Sequence, residues 1–142
     1  MRILGLDVGE ARIGVAVSDP TGTLATPLTA IRRRGEPHDV REVLRLVAEH
    51  EAGEIVAGLP VSLSGEEGEQ ARLVAGFTEA LAREAPVPVT SVDERYSTAE
   101  AERLLRASGV KPSRDRGRLD AASAAGILQS YLDSRRAGQP PP

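Results

Sequence analysis

The carboxylate of Asp7 interrupts the most apolar segment of the chain, which runs from Ile3 to Val8. Alternate side chains of an extended strand share a face, so Asp7 is expected on the same face as Ile3 and Gly5. A charge at such a position is costly unless it is paired or binds a metal ion. Asp7 could instead cap the turn that follows the strand, and the local pattern leaves both interpretations open.

A second carboxylate, Asp120, lies on the apolar stripe of the last predicted helix. At a period of 3.6 residues it shares that stripe with Ser123, Ala124, Ile127, Leu128 and Tyr131. Small residues from Ala121 to Gly126 allow this helix to approach its neighbour closely. The alternative for Asp120 is a favourable interaction with the positive end of the helix dipole, about 0.3–1 kcal/mol, which does not require the apolar face.

Glu94 follows the last predicted strand and is the third candidate, although a salt bridge with Arg95 is an equally simple interpretation. Three converging carboxylates raise one another's pKa unless a cation is present. Mg²⁺ prefers such oxygen ligands and Mn²⁺ accepts them. A site of this type hydrolyses phosphodiester bonds by activating water and stabilising the leaving oxygen. We therefore predict Asp7, Glu94 and Asp120 as catalytic residues and as ligands of Mg²⁺ or Mn²⁺.

Hydrophobic periodicity and turn residues predict the elements that must position these carboxylates. Short connections between the first three apolar segments predict a β-hairpin and a third antiparallel strand, and helices separate the later strands. The predicted strands cover 3–8, 13–17, 23–31, 54–58 and 87–92, and the predicted helices cover about 39–51, 64–83, 97–107 and 119–135. This order favours an α/β fold in which helices flank a mixed five-stranded sheet, with ligands at the carboxyl ends of its strands.

Length and composition limit the remaining possibilities. The 142 residues, 40% of them hydrophobic, fit one domain, predicted over residues 1–137 with a disordered tail at 138–142. The sequence has no cysteine and two histidines, which excludes disulfides and cysteine-ligated zinc and argues against a histidine-rich zinc site. Neither a secretory signal nor a membrane span is predicted, so we expect a cytoplasmic protein without membrane association.

Basic residues are concentrated in one part of this acidic chain. The segment from Arg95 to Arg118 carries seven basic and three acidic residues, a local charge of +4, whereas the whole chain has a net charge of -3. Six of these residues are predicted to bind nucleic-acid phosphates: Arg103, Arg106, Lys111, Arg114, Arg116 and Arg118. Because aromatic residues make up 2% of the chain, few bases can be stacked, so shape and backbone are the expected cues.

Several motifs together resemble the YqgF family, also called RuvX, within the RNase H-like superfamily. The resemblance rests on Gly5-Leu6-Asp7-Val8-Gly9, on Arg12 to Asp19, on Gly58-Leu59-Pro60, on Asp93-Glu94-Arg95 with Ser97-Thr98, and on Asp120 with Ala124 and Ile127-Leu128-Gln129. Each motif is weak alone, but their order and spacing along nearly the whole chain are specific.

This resemblance implies an RNase H-like fold with an acidic nuclease centre at Asp7, Glu94 and Asp120. It also implies cleavage of the 5′ end of pre-16S rRNA or, alternatively, resolution of Holliday junctions. The partner would thus be structured RNA or branched DNA. A two-fold symmetric junction would favour a homodimer, whereas trimming a precursor requires only one site.

Two other classes of protein are alternatives. Sugar kinases and actin-type ATPases share the sheet topology and an acidic first hairpin, but they enclose ATP between two such domains. A catalytically silent nucleic-acid adaptor is the third possibility. Metal-dependent cleavage that disappears when the acids are changed would distinguish a nuclease from both.

Overall fold

The computed structural model describes residues 1–59, 69–93 and 116–136. Five strands form one mixed sheet: β1 (Arg2–Val8), β2 (Arg12–Ser18), β3 (Ala25–Arg32), β4 (Ala52–Leu59) and β5 (Val89–Asp93). Three described helices accompany them: α1 (Glu36–Glu49), α2 (Glu69–Glu84) and α3 (Arg116–Arg136). The predicted α/β fold with a mixed five-stranded sheet is therefore confirmed. The predicted helix at 97–107, the first part of the predicted helix at 64–83 (residues 64–68) and the tail at 138–142 lie outside the described residues.

The sheet order is β3-β2-β1-β4-β5, which places β1 at the centre. Strand β1 pairs antiparallel with β2 and parallel with β4, while β3 and β5 form the edges. Short connections permit the antiparallel pairs, whereas the parallel pairs require the longer crossovers that contain helices. The carboxyl ends of β1, β4 and β5 consequently lie at the same end of the sheet. Asp7 lies at this end, one residue before the end of β1.

The two faces of the sheet support different helices. One core contains Leu4, Leu6 and Val8 of β1 together with buried residues of α1 and α2. The other contains Ile3 of β1 together with the buried face of α3, including Leu128. Burial of each large aliphatic side chain contributes roughly 1.5–3 kcal/mol. Alternation along β1 therefore places Ile3, Gly5 and Asp7 beneath α3, as the sequence predicts.

Helix α1 begins earlier than the sequence predicts. The predicted start near Asp39 was wrong, because the helix starts at Glu36 with Gly35 as its N-cap residue. Pro37 lies in the first turn, where its missing N–H group is not needed. Asp39 is fully buried instead of capping the helix end. No described helix is long and apolar enough to cross a membrane.

Candidate active site

Asp7 stands between glycines on both neighbouring strands. Its Cα pairs with Gly14 of β2 and with Gly58 of β4. Paired residues on adjacent strands share a face, so neither neighbour places a side chain beside the Asp7 carboxylate on the face covered by α3. Asp7 itself is partly exposed at this end of β1. The two glycines therefore leave room on this face, beside Asp7, for the backbone of another element.

Helix α3 brings Asp120 directly above the same position. A Cβ atom built on Gly14 would lie 2.0 Å from the carbonyl oxygen of Asp120 and 2.3 Å from its carbonyl carbon. Such a contact requires glycine, the residue that lacks a Cβ atom. Residues directly opposite in an antiparallel pair have Cα atoms about 4.5–5.5 Å apart. Since Gly14 is the register partner of Asp7, the helix backbone at Asp120 is adjacent to Asp7.

The close approach continues along α3. A Cβ atom on Gly5 would lie 2.8 Å from the Cβ atom of Leu128 and 3.1 Å from the carbonyl oxygen of Ala124. Farther along the helix, the Tyr131 hydroxyl donates a 2.6 Å hydrogen bond to Glu54, a buried carboxylate of β4. Burial raises the pKa of the Tyr131 hydroxyl, and this hydrogen bond raises it further. Glycine contacts and a buried polar contact thus fix the position of α3 over the sheet.

Arg12 is the functional residue that the sequence analysis did not place at the site. Its Nε atom donates a hydrogen bond of 2.5 Å to Oδ2 of Asp120, and both side chains are partly exposed, 31% for Arg12 and 25% for Asp120. Arg12 lies two residues before Gly14, so period two places it on the α3 face. This spacing indicates the face on which Arg12 lies. It does not indicate its partner Asp120, which is 108 residues away in the chain.

An ion pair between a partly exposed arginine and a fully buried carboxylate supports the β1–β2 turn from the opposite face. Arg33 donates to the carbonyl oxygen of Gly9 at 3.1 Å and to Oδ2 of the fully buried Asp39 at 3.1 Å. Burial raises the pKa of the Asp39 carboxyl, but hydrogen bonds from His38, from the Arg34 N–H group and from Arg33 outweigh it, so the pKa lies below its ordinary value. This cluster holds the turn that connects Asp7 to Arg12.

Asp19, another acid of the matching motifs, has a structural role in the turn after β2. Its Oδ1 atom accepts hydrogen bonds from the N–H groups of Thr23 and Leu24, both at 2.8 Å. The bond from the Leu24 N–H group, followed by that from the Thr21 hydroxyl, holds the pKa of Asp19 well below its usual range. Asp19 therefore closes the turn after β2 and does not belong to the group around Asp7.

The third predicted carboxylate, Glu94, lies outside the described residues. Strand β5 ends at Asp93, whose Cα pairs with Leu59 at the edge that carries Asp7. Within the described parts of the chain, no three histidine, aspartate or glutamate side chains form a group suited to a metal ion. Asp7 and Asp120 nevertheless supply the hard carboxylate oxygens that Mg²⁺ and Mn²⁺ prefer. The donor chemistry of these two residues fits such a metal.

The predicted phosphate-binding residues are only partly described. Arg103, Arg106, Lys111 and Arg114 lie outside the described residues. Arg116 begins α3, and Arg118 lies in its first turn with an exposed side chain. Asp120 lies two residues after Arg118 in the same helix. The start of α3 therefore places basic residues near the candidate centre.

Comparison with known proteins gives one consistent family. Residues 1–134 match the family described as "RuvX: Holliday junction resolvase". A protein of Mycobacterium sp. (strain KMS) is 49% identical over 138 residues, which cover 96% of this chain and 82% of the relative. A protein of Streptomyces coelicolor is 51% identical over 142 residues, covering 99% and 85%. Both are named "Putative pre-16S rRNA nuclease".

A solved structure shows the same fold at low sequence identity. The structure of T. thermophilus RuvC in complex with a Holliday junction substrate superimposes with a TM-score of 0.67 at 18% identity. The match covers 100% of this chain and 99% of the RuvC chain. At this identity the similarity concerns the fold, and it agrees with the RNase H-like architecture that the sequence resemblance implies.

Proposed function

The chain belongs to the RuvX family, and from this premise we propose that it is a metal-dependent nuclease that hydrolyses phosphodiester bonds in nucleic acids. The observation that carries the proposal is the placement of Asp120 over Gly14, the register partner of Asp7. Two acidic residues far apart in the sequence thereby lie near each other at the carboxyl end of the central strand. Ligands of open α/β sheets bind at such ends.

The proposed metal ligands are Asp7, Asp120 and Glu94, with Mg²⁺ or Mn²⁺ as the cation. When bound, the metal supplies water activation and stabilisation of the leaving oxygen. Asp7 contributes a carboxylate from the end of β1, and Asp120 contributes one from α3. Glu94 directly follows the last residue of β5 and is proposed as the third ligand. The cation would relieve the mutual repulsion of these three acids.

We propose the 5′ end of pre-16S rRNA as the primary substrate, because relatives of about 50% identity are named for action on this RNA. The basic residues from Arg103 to Arg118 would neutralise backbone phosphates of structured RNA without reading sequence. We further propose that the protein acts in the cytoplasm and that a single protomer is sufficient for this reaction.

A second candidate function is resolution of four-way DNA junctions. It is favoured by the description of the family as Holliday junction resolvases and by the shared fold with RuvC. Symmetric cleavage of a junction requires two sites, so this alternative implies a homodimer. A catalytically silent adaptor, the remaining alternative, would bind either substrate without cleaving it.

Side-by-side cleavage of a pre-16S rRNA fragment and a four-way DNA junction, in matched metal and salt, tests the proposal. We expect Mn²⁺-dependent or Mg²⁺-dependent cleavage that is lost in Asp7→Asn while the fold is retained. Asp133→Asn is the matched control, because this exposed acid of α3 pairs with Arg136, away from the candidate centre. Cleavage by a folded Asp7→Asn protein at the wild-type rate would remove Asp7 from the mechanism.

A further inference from the structure

In the structure, the guanidinium of Arg12 forms an ion pair with the carboxylate of Asp120. Their 2.5 Å contact joins the first residue of β2 to the first part of α3. Arg12 and Gly14 share a face of β2, and Gly14 pairs with Asp7. Arg12, Asp7 and the backbone of Asp120 therefore lie around Gly14 on the same face of the sheet, and Arg12 supplies a positive charge there.

A cation that binds Asp120 must compete with this ion pair. Arginine keeps its charge at every accessible pH, so deprotonation of the guanidinium does not release Asp120. The charge of Arg12 also repels a divalent cation at close range, where the effective dielectric constant is lower than in water. The ion pair therefore opposes binding of metal to Asp120 in the free protein.

A backbone phosphate is a partner that can take the guanidinium away from Asp120. Arginine forms strong charge-assisted hydrogen bonds with phosphate oxygens, as it does with carboxylates. Nucleic acid held at the candidate centre would bring such a phosphate to the place where Arg12 already lies. One arginine would then serve two acceptors in turn.

We propose that Arg12 couples nucleic-acid binding to metal binding: it pairs with Asp120 in the free protein and moves to a backbone phosphate when substrate binds. This proposal rests on the proposed function, because it takes Asp120 as a metal ligand. Coupling between two ligands is reciprocal. Because the Asp120 carboxylate and the phosphate compete for the guanidinium, neutralisation of Asp120 must strengthen the contribution of Arg12 to nucleic-acid binding. That consequence can be measured without metal and without cleavage.

The test is a double-mutant cycle in EDTA with wild type, Arg12→Gln, Asp120→Asn and the double variant. The probe is the fluorescein-labelled rRNA fragment or four-way junction, whichever wild type binds more tightly, and the readout is Kd by fluorescence anisotropy. We expect Arg12→Gln to weaken binding less than about twofold in wild type but at least about fivefold in the Asp120→Asn background. Equal factors in the two backgrounds would overturn the proposal.

The matched control is Arg45→Gln, which removes the same charge from an exposed ion pair on α1. It should change Kd by the same small factor with or without Asp120→Asn. Thermal melting of each variant verifies the fold, and Arg12→Lys provides a second substitution that keeps the charge but not the geometry of the guanidinium. In the Arg12→Lys protein, Asp120→Asn should change Kd by a smaller factor than it does in wild type.

Mn²⁺ binding to the free protein, measured by calorimetry, gives the second readout. We expect Arg12→Gln to bind Mn²⁺ several-fold more tightly than wild type, because the competing guanidinium is gone. Equal affinity would overturn the proposal, and weaker affinity would show that Arg12 holds Asp120 in position for the metal. Cleavage by wild type tests the nuclease function separately, since the cycle in EDTA requires no turnover.

Discussion

Replacement of Gly14 by alanine should displace Asp120 from Asp7. The added Cβ atom would lie 2.0 Å from the Asp120 carbonyl oxygen, whereas ordinary contact begins at 3.4 Å. The start of α3 must therefore move by about 1.4 Å, the difference between these two distances. Backbone atoms cannot rotate aside as the end of a flexible side chain can, so the helix itself has to shift.

The shift has two measurable consequences. Overpacking of this kind lowers the free energy of unfolding by about 1–3 kcal/mol, which for a chain of this length lowers Tm by several degrees. Displacement of a catalytic group by about 1 Å can reduce the rate about 100-fold. Urea unfolding and cleavage of the better substrate with Mn²⁺ measure the two effects on the same preparation.

Two other Gly→Ala variants serve as controls. Gly76 lies in α2, where an added Cβ atom meets no atom within 4 Å, so Gly76→Ala should stabilise the fold by about 0.5–1 kcal/mol and leave cleavage unchanged. Gly5→Ala should destabilise the fold through contact with Leu128 but reduce cleavage less, because that contact lies farther along α3 from Asp120. Wild-type stability in Gly14→Ala would refute the packing argument, and full cleavage by destabilised protein would show that the placement of Asp120 is unimportant.

Three further predictions concern the second carboxylate, the buried acid and the basic segment. Asp120→Asn should lower the unfolding free energy by at most about 1 kcal/mol without metal but reduce the Mn²⁺-induced rise in Tm, as measured by scanning fluorimetry. The lowered pKa of Asp39 stabilises the fold above its ordinary value of 3.8, and this stability should be lost as the pH falls through the folded-state pKa. Asp39→Asn should flatten that pH dependence and cost on the order of 3 kcal/mol in urea unfolding at pH 7. Joint replacement of Arg114, Arg116 and Arg118 by alanine should weaken binding to unrelated sequences equally and reduce the salt slope by about one unit per lost phosphate contact.

Each of these predictions has a contradicting result. An undiminished Mn²⁺ shift with normal cleavage in Asp120→Asn would leave this residue as a helix-terminal acid. Parallel stability curves for wild type and Asp39→Asn as the pH falls below 3.8, the ordinary pKa of the carboxyl, would show that this pair does not contribute to acid unfolding. An unchanged salt slope in the triple variant would place the nucleic acid on another surface.

The elements of the fold could be predicted because their signals are local. Alternation in β1 and β2 and the glycine-containing turn between them depend on neighbouring residues, and the described strands agree with the predictions within a few residues. The start of α1 was predicted near Asp39 but lies at Glu36, because Pro37 is tolerated in the first helical turn, where it loses no hydrogen bond. Helix α3 was predicted from Leu119 but begins at Arg116, since residues before the apolar stripe carry no periodic signal.

The sequence by itself determined which carboxylates lie on apolar faces, because the periods of strand and helix assign Asp7 and Asp120 to those faces. The absence of cysteine also excluded thiolate ligands for any metal bound by this chain. Only the tertiary structure decided what each carboxylate contacts. The Arg12–Asp120 pair joins residues 108 positions apart, and its formation depends on the way Gly14 admits the backbone of α3. Local periodicity fixes the direction of a side chain, but the packing of one element on another selects its partner.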